Sequence, residues 1–162
     1  IVGIEPSSTG VLRSDAVELL DTDDARVVAG ATRTLAELLA ETPGWSAPDL
    51  TGTQVVAQPH CHHHAVMGWQ ADADLLAATG ATVQRLAGCC GLAGNFGVEI
   101  GHYDVSVAIA EHQLLPALDA QPDAVVLADG FSCRTQVEDL RGRRSVHLAQ
   151  LLDGAAGPPP TR

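Results

Sequence analysis

Short apolar runs alternate along this chain with longer stretches whose apolar positions recur every three or four residues. Residues 1–4, 54–57, 82–86 and 124–128 are the short runs, rich in Val and Ile, and each reads as a strand. Between them, Thr22-Asp23-Asp24 opens a helix with acidic residues in its first turn, and Val28, Ala31, Leu35, Leu38 and Leu39 continue it at helical spacing. Pro43-Gly44 ends that helix. A helix over 71–78 is closed by Gly80, and a long one over about 102–118 carries Val105, Ala108, Ile109, Leu114 and Leu115 on its apolar face. Helices over about 134–140 and 146–152 follow, while residues 11–20 read as short helical or irregular structure. Strands alternating with helices predict an α/β fold with a mostly parallel sheet flanked by helices. Residues 1–153 form the expected domain and 154–162, with Pro158-Pro159-Pro160, a proline-rich tail.

In such a sheet ligands bind beyond the carboxyl ends of the strands. All four cysteines follow strands: Cys61 after the second, Cys89 and Cys90 after the third, Cys133 after the fourth. A parallel sheet therefore gathers the cysteines at the C-terminal ends of its strands. Four core cysteines placed this way by accident are a weak explanation, although single cysteines often serve as small buried apolar residues. The intervals are 27 residues between Cys61 and Cys89 and 42 between Cys90 and Cys133, with no C-x2-C pair, so this is not a zinc ribbon. Adjacent side chains diverge, so Cys89 and Cys90 reach different atoms of a multi-iron cluster more readily than one tetrahedral ion.

Composition narrows the classes. The chain has 162 residues, 46% hydrophobic and 18% charged, which is one globular domain's worth. A formal net charge of −11 excludes nucleic-acid binding as the main task, and Arg141-Gly142-Arg143-Arg144 reads as a solvated turn. All nine basic residues are Arg, so a Walker A lysine and a Schiff-base lysine are both missing from this sequence. No apolar run is long enough for a transmembrane segment. A start in strand-like sequence without Met or a signal peptide is expected of a piece of a longer protein. The sparse cysteines fit a reducing, cytoplasmic setting, or one peripheral to the inner face of a membrane.

Two further features surround the cysteines. Gly88, Gly91, Gly94 and Gly97 punctuate the Cys89-Cys90 loop, allowing positive φ and backbone N–H groups close to an anionic centre. The helix after this loop is expected to aim its N-terminus at the same place. His60, His62, His63 and His64 flank Cys61; His60 and His62 are expected to hydrogen-bond near the centre, with direct ligation by any one of them the weaker reading. No Ser-His-Asp order and no convergent carboxylate pair stands out, Asp123 and Asp129 reading as turn residues. Glu99 and His102 read as surface or packing positions. No catalytic residue is assigned.

His60-Cys61-His62, the run from Cys89-Cys90-Gly91 to Gly97, and Gly130-Phe131-Ser132-Cys133-Arg134 together resemble the cysteine-rich CCG domain. That domain occurs in the cysteine-rich subunit of heterodisulfide reductase, in the iron–sulfur subunit of anaerobic glycerol-3-phosphate dehydrogenase and in lactate and glycolate oxidase iron–sulfur proteins. The likeness runs most fully, over about residues 1–152, to the C-terminal part of fused FAD-linked oxidases of the D-lactate or D-2-hydroxyglutarate dehydrogenase kind. The resemblance implies a [4Fe–4S] cluster on Cys61, Cys89, Cys90 and Cys133, with FAD held in parent domains absent from this chain. It implies electron transfer from flavin towards a quinone or another, membrane-associated, acceptor in an enzyme oxidising a 2-hydroxy acid or related alcohol. The expected partner is the flavin-binding part of the same protein or complex. Two positions depart from the family pattern: Ser8 follows Glu5-Pro6-Ser7 where many members have Cys, and Gly130 stands where the first Cys of a C-x2-C pair is usual. Four thiolates then remain, and the alternatives are a docking module with zinc or free thiols, and thiol/disulfide chemistry of the heterodisulfide reductase kind.

Overall fold

The computed structural model describes residues 1–154, so the proline-rich tail lies outside the described residues. Strand β1 (Val2–Gly3) leads into helix α1 (Pro6–Gly10), whose N-terminus is capped by Glu5. The chain continues through a π-helical stretch, Val11–Asp15, into α2 (Ala16–Leu20), then α3 (Asp23–Ala31). A short strand β2 (Arg33–Thr34) pairs in parallel with β1, forming a two-stranded sheet of its own, and α4 (Leu35–Glu41) follows.

The main sheet begins with β3 (Gln54–Ala57), which runs through a π-helical turn (His63–Met67) into α5 (Gln70–Ala78) and β4 (Thr82–Arg85). A 3-10 turn (Phe96–Val98), α6 (Tyr103–His112) and α7 (Leu114–Ala120) then return the chain to β5 (Val125–Leu127). Helix α8 (Phe131–Arg141), β6 (Ser145–Val146) and α9 (Leu148–Leu152) complete the described structure. The strand order is β4-β3-β5-β6, all parallel. The expected α/β class with a parallel sheet between helices is thus what the chain adopts.

Side chains alternate across this sheet, and each face has its own core. Val56 and Val126 pack with Leu114, Leu115, Leu118 and Val137 of α7 and α8. Val55, Ala57 and Leu127 pack on the opposite face with Ala36, Leu75, Leu76, Leu148 and Leu151 of α4, α5 and α9. The chain leaves β3 towards β4 on one side and, after β4, crosses back to β5 on the other. The crevice between the ends of β3 and β5 is therefore the point where strand order reverses, the usual ligand position in an open α/β sheet.

Three expectations need correction. The helix expected from Thr22 through Leu39 is two helices, because Thr34 adopts extended geometry and caps α4. Its hydroxyl accepts from Glu37 N–H (3.2 Å) while the Glu37 carboxylate accepts from Thr34 N–H (2.8 Å). The helix expected over 102–118 breaks at Gln113 (φ −141°, ψ −45°). Pro116, four residues after His112, has no N–H for that carbonyl and its ring crowds it. Lastly, the Arg141–Arg144 turn is not merely solvated. Arg141 holds Asp119 through two bonds (2.7 and 2.8 Å), and the Arg143 guanidinium donates to the carbonyls of Leu118, Gln121 and Ala124, closing the end of α7.

Leu118→Ala, which empties a fully buried position between α7 and the sheet, is expected to lower stability by about 2–5 kcal/mol in chemical denaturation. Val98→Ala, at an exposed site, should stay within about 0.5 kcal/mol of wild type.

Candidate metal centre

The parallel register sends the chain out of β3, β4 and β5 at the same edge. Cys61 lies four residues beyond β3, Cys89 follows β4 by the same interval with Cys90 next to it, and Cys133 sits in the first turn of α8, just beyond β5. The four thiols form a file from solvent to core. Cys61 is exposed, Cys89 half-buried, and Cys90 and Cys133 are buried among Leu92, Ala110 and Val137. Cys61 Sγ and Cys89 Sγ are 3.3 Å apart. Behind this pair, Cys90 and Cys133 are both buried in the same apolar cluster.

Packed thiols cannot all ionise together. Hydrogen bonding to Cys89 pushes the Cys61 thiol up, and hydrogen bonding to Cys133 and Cys89, with burial, does the same to Cys90. Cys89 moves the other way. Bonds from the Cys61 and Cys90 thiols, and from Gly91 N–H at 3.4 Å, hold it well below the usual thiol range.

The loop carrying Cys89 and Cys90 is fixed from both sides. The Gln113 carboxamide oxygen, at the break between α6 and α7, accepts from the N–H groups of Ala87 (2.9 Å) and Gly88 (3.2 Å). Gln58 Nε2 donates to the Gly88 carbonyl (2.8 Å). Gly91 has φ +98°, and a Cβ there would run into the Ser106 carbonyl, so only glycine lets the loop lie against α6. Gly94 also has positive φ but faces open space, and Gly88 adopts an ordinary conformation with room for a side chain. A 3-10 turn and Gly101 separate this loop from α6, so the helix whose first turn holds a thiol is α8.

His60 occupies the centre of the crevice. Its Nδ1 accepts from His62 N–H (3.2 Å), which leaves the proton on Nε2, facing the hydroxyls of Ser7 and Ser132 at 3.4 Å each. Burial lowers its pKa, so the ring is neutral. A Cβ on Gly130 would collide with this ring. His62 is exposed, donating to His60 through its backbone and setting its ring edge-on to the His60 ring (centroids 5.6 Å apart), and His64 accepts from Arg85 (2.8 Å) at the surface. Glu5, the α1 cap, also approaches Phe131 N–H (3.4 Å), joining α1 to α8. Pro59, Cys61, Arg85, Gly88 and Cys89 line an open recess of about 500 Å³ outside the outer pair of thiols.

The sequence reading missed a second cluster. Asp129 is not a simple turn residue, and two carboxylates do converge. His63 Nε2 lies 3.0 Å from Asp72 Oδ2, and Asp129 stands with them. Among the described residues, His63, Asp72 and Asp129 are the group of three or more ligand-type side chains whose donor atoms all fall within 4.8 Å of one another. Burial pulls the His63 ring down, but the bond to Asp72 and the surrounding carboxylates outweigh it and hold the pKa above the usual imidazole value. Burial raises the Asp129 carboxyl, opposed by His147 and by a bond from Leu148 N–H (2.7 Å). The available signal was positional: His63 and Asp129 follow the same strands as Cys61 and Cys133.

No family model matches the chain. The chain is similar to three proteins named D-2-hydroxyglutarate dehydrogenase. It is 35% identical over 101 residues to that of Escherichia coli, covering 62% of this chain and 9% of that protein. It is 36% identical over 85 residues to that of Pantoea ananatis (52% and 8%), and 34% identical over 70 residues to that of Pseudomonas putida (43% and 7%). The chain therefore spans less than a tenth of the length of the curated relatives it matches.

Proposed function

We propose that this chain is a CCG-type iron–sulfur segment of an FAD-linked dehydrogenase acting on a 2-hydroxy acid. One observation carries the reading: four thiols from three separate strand ends are gathered at one edge of a parallel sheet, with Cys61 and Cys89 3.3 Å apart and Cys90 and Cys133 buried together behind them. The names of the similar dehydrogenases support the enzyme class. No helix among the described residues is long and apolar enough to cross a membrane.

The donor set fits a cluster better than one ion. A tetrahedral zinc with Zn–S of about 2.3 Å needs all its sulfurs about 3.8 Å apart. Three or more of these sulfurs are not grouped within 4.8 Å of one another; they lie in a file. A [4Fe–4S] cluster takes its thiolates on separate iron atoms and supplies, when bound, one-electron transfer. Cys61, Cys89, Cys90 and Cys133 would hold it, and Gly91 N–H would stabilise the Cys89 sulfur as it does the thiolate. His60 blocks the place of a further sulfur at position 130, which supports four thiolates and not five. The buried end of the file excludes water, and Gln113 and Gln58 hold the loop that carries the middle pair.

A second reading rests on the 3.3 Å approach of Cys61 to Cys89, beside an open recess. The Cys89 thiolate would attack an added disulfide, and Cys61 would release the second thiol by closing a Cys61–Cys89 bridge.

Anaerobic purification followed by iron, acid-labile sulfide and zinc analysis separates these readings. Iron with equal sulfide is expected. Stoichiometric zinc that is lost in the Cys89→Ser variant, or iron-free protein that reduces a disulfide reagent, would replace the first reading by the docking or the thiol chemistry one. Cys89→Ser or Cys133→Ser should each release most of the iron, whereas Ser8→Ala should keep it; unchanged iron in the Cys variants contradicts the ligand assignment. Gly130→Ala should cost about 1–3 kcal/mol from overpacking against His60. Adding His60→Ala should recover part of that loss, read as a non-additive pair in denaturant melts.

A further inference from the structure

We propose a second metal site in this chain, independent of the thiols, in which His63, Asp72 and Asp129 bind one divalent transition-metal ion. The three side chains come from three elements: the turn after β3, the first turns of α5, and the loop after β5. Their donor atoms lie within 4.8 Å of one another, with His63 and Asp72 almost wholly buried. Neighbouring ligands on an ion with bonds of about 2.1 Å sit about 3.0–3.4 Å apart. The separation of His63 Nε2 from Asp72 Oδ2, 3.0 Å, already matches that spacing.

A second observation, separate from the side-chain distances, points to an occupant. These three residues and His147 line a small cavity of about 10 Å³, shared with apolar Leu35, Met67 and Leu148 and with polar Thr9 and Thr34. A space of this size takes a single water or ion. With a dication bound, a neutral His63 and two carboxylates would leave no buried net charge. The surroundings suit ligation as well. Leu148 N–H donates to Asp129 Oδ1 at 2.7 Å, fixing that carboxylate. His147 has its Nδ1 occupied by Ala149 N–H (3.0 Å), so its Nε2–H turns to the Ile4 carbonyl (2.9 Å), 3.5 Å from Asp129. It is an orienting neighbour and not a ligand. One imidazole with two carboxylates favours zinc, manganese or ferrous iron over thiolate-seeking ions.

The site lies on the α4, α5 and α9 side of the sheet, while the inner thiols pack on the α6 to α8 side. No ligand is shared. An ion here would fasten the turn two residues beyond Cys61 to the end of β5, and so steady the outermost thiol.

Cobalt titration of the chelator-stripped chain tests this. One saturable equivalent of Co²⁺ is expected, with visible d–d bands and no thiolate-to-cobalt charge transfer, displaced by Zn²⁺. The same spectrum should persist in the Cys61→Ser/Cys89→Ser double variant. Asp129→Asn should weaken binding by about 100-fold or more while keeping the far-ultraviolet circular dichroism of wild type. If Asp129→Asn does not fold, His63→Gln carries the same comparison. The absence of a saturable equivalent in wild type, binding seen only through thiolate charge transfer, or affinity unaltered by these substitutions would each overturn the proposal. Iron and sulfide at the thiols are measured separately, so either site can fail without the other.

Discussion

Parallel alignment of three strands is the constraint on which the rest depends. β3 pairs with β4 and β5 in the same direction, so every chain exit from these strands falls on one edge. Each exit carries chemistry: Cys61 and His63 after β3, the paired cysteines after β4, Asp129 and Cys133 after β5. Reversing any one strand would send its residues to the far end of the sheet. The helical layers enforce the alignment, because Val55 and Val56 point to opposite faces and each face is sealed by its own cluster.

Within that edge, His60 divides the space. Its neutral ring fills the crevice between α1 and α8, meets the hydroxyls of Ser7 and Ser132, and occupies the volume beside Gly130. The thiols thereby lie on one side of the crevice and the side chains of His63, Asp72 and Asp129 on the other. Two environments of different softness stand side by side in a small domain, both drawing on the ends of β3 and β5, with the paired cysteines after β4 added to the sulfur side.

Much of this was legible in the amino-acid sequence, for identifiable reasons. The runs at 54–57, 82–86 and 124–128 are apolar and β-branched, so the central strands and their order of appearance were plain. β2 and β6, two residues each, have no periodicity to detect and exist through pairing with a neighbour. The breaks at Thr34 and Gln113 were hidden because apolar spacing continues across both, and a capping box and a proline decide the local geometry instead. The cysteine file was legible because four rare residues all follow strands. The His63, Asp72 and Asp129 group was not, since each residue has an ordinary local explanation and Asp72 sits on a helix that carries no other signal. Only tertiary packing brings its carboxylate under the sheet edge.

The gradient of burial along the sulfur file sets an order of vulnerability. Cys133 and Cys90 are sealed from bulk solution, while Cys61 stands in it and Cys89 is half in. Oxygen and peroxides arriving from outside meet Cys61 and Cys89 first, each already within reach of the other. Damage therefore begins at the rim and reaches the inner pair last.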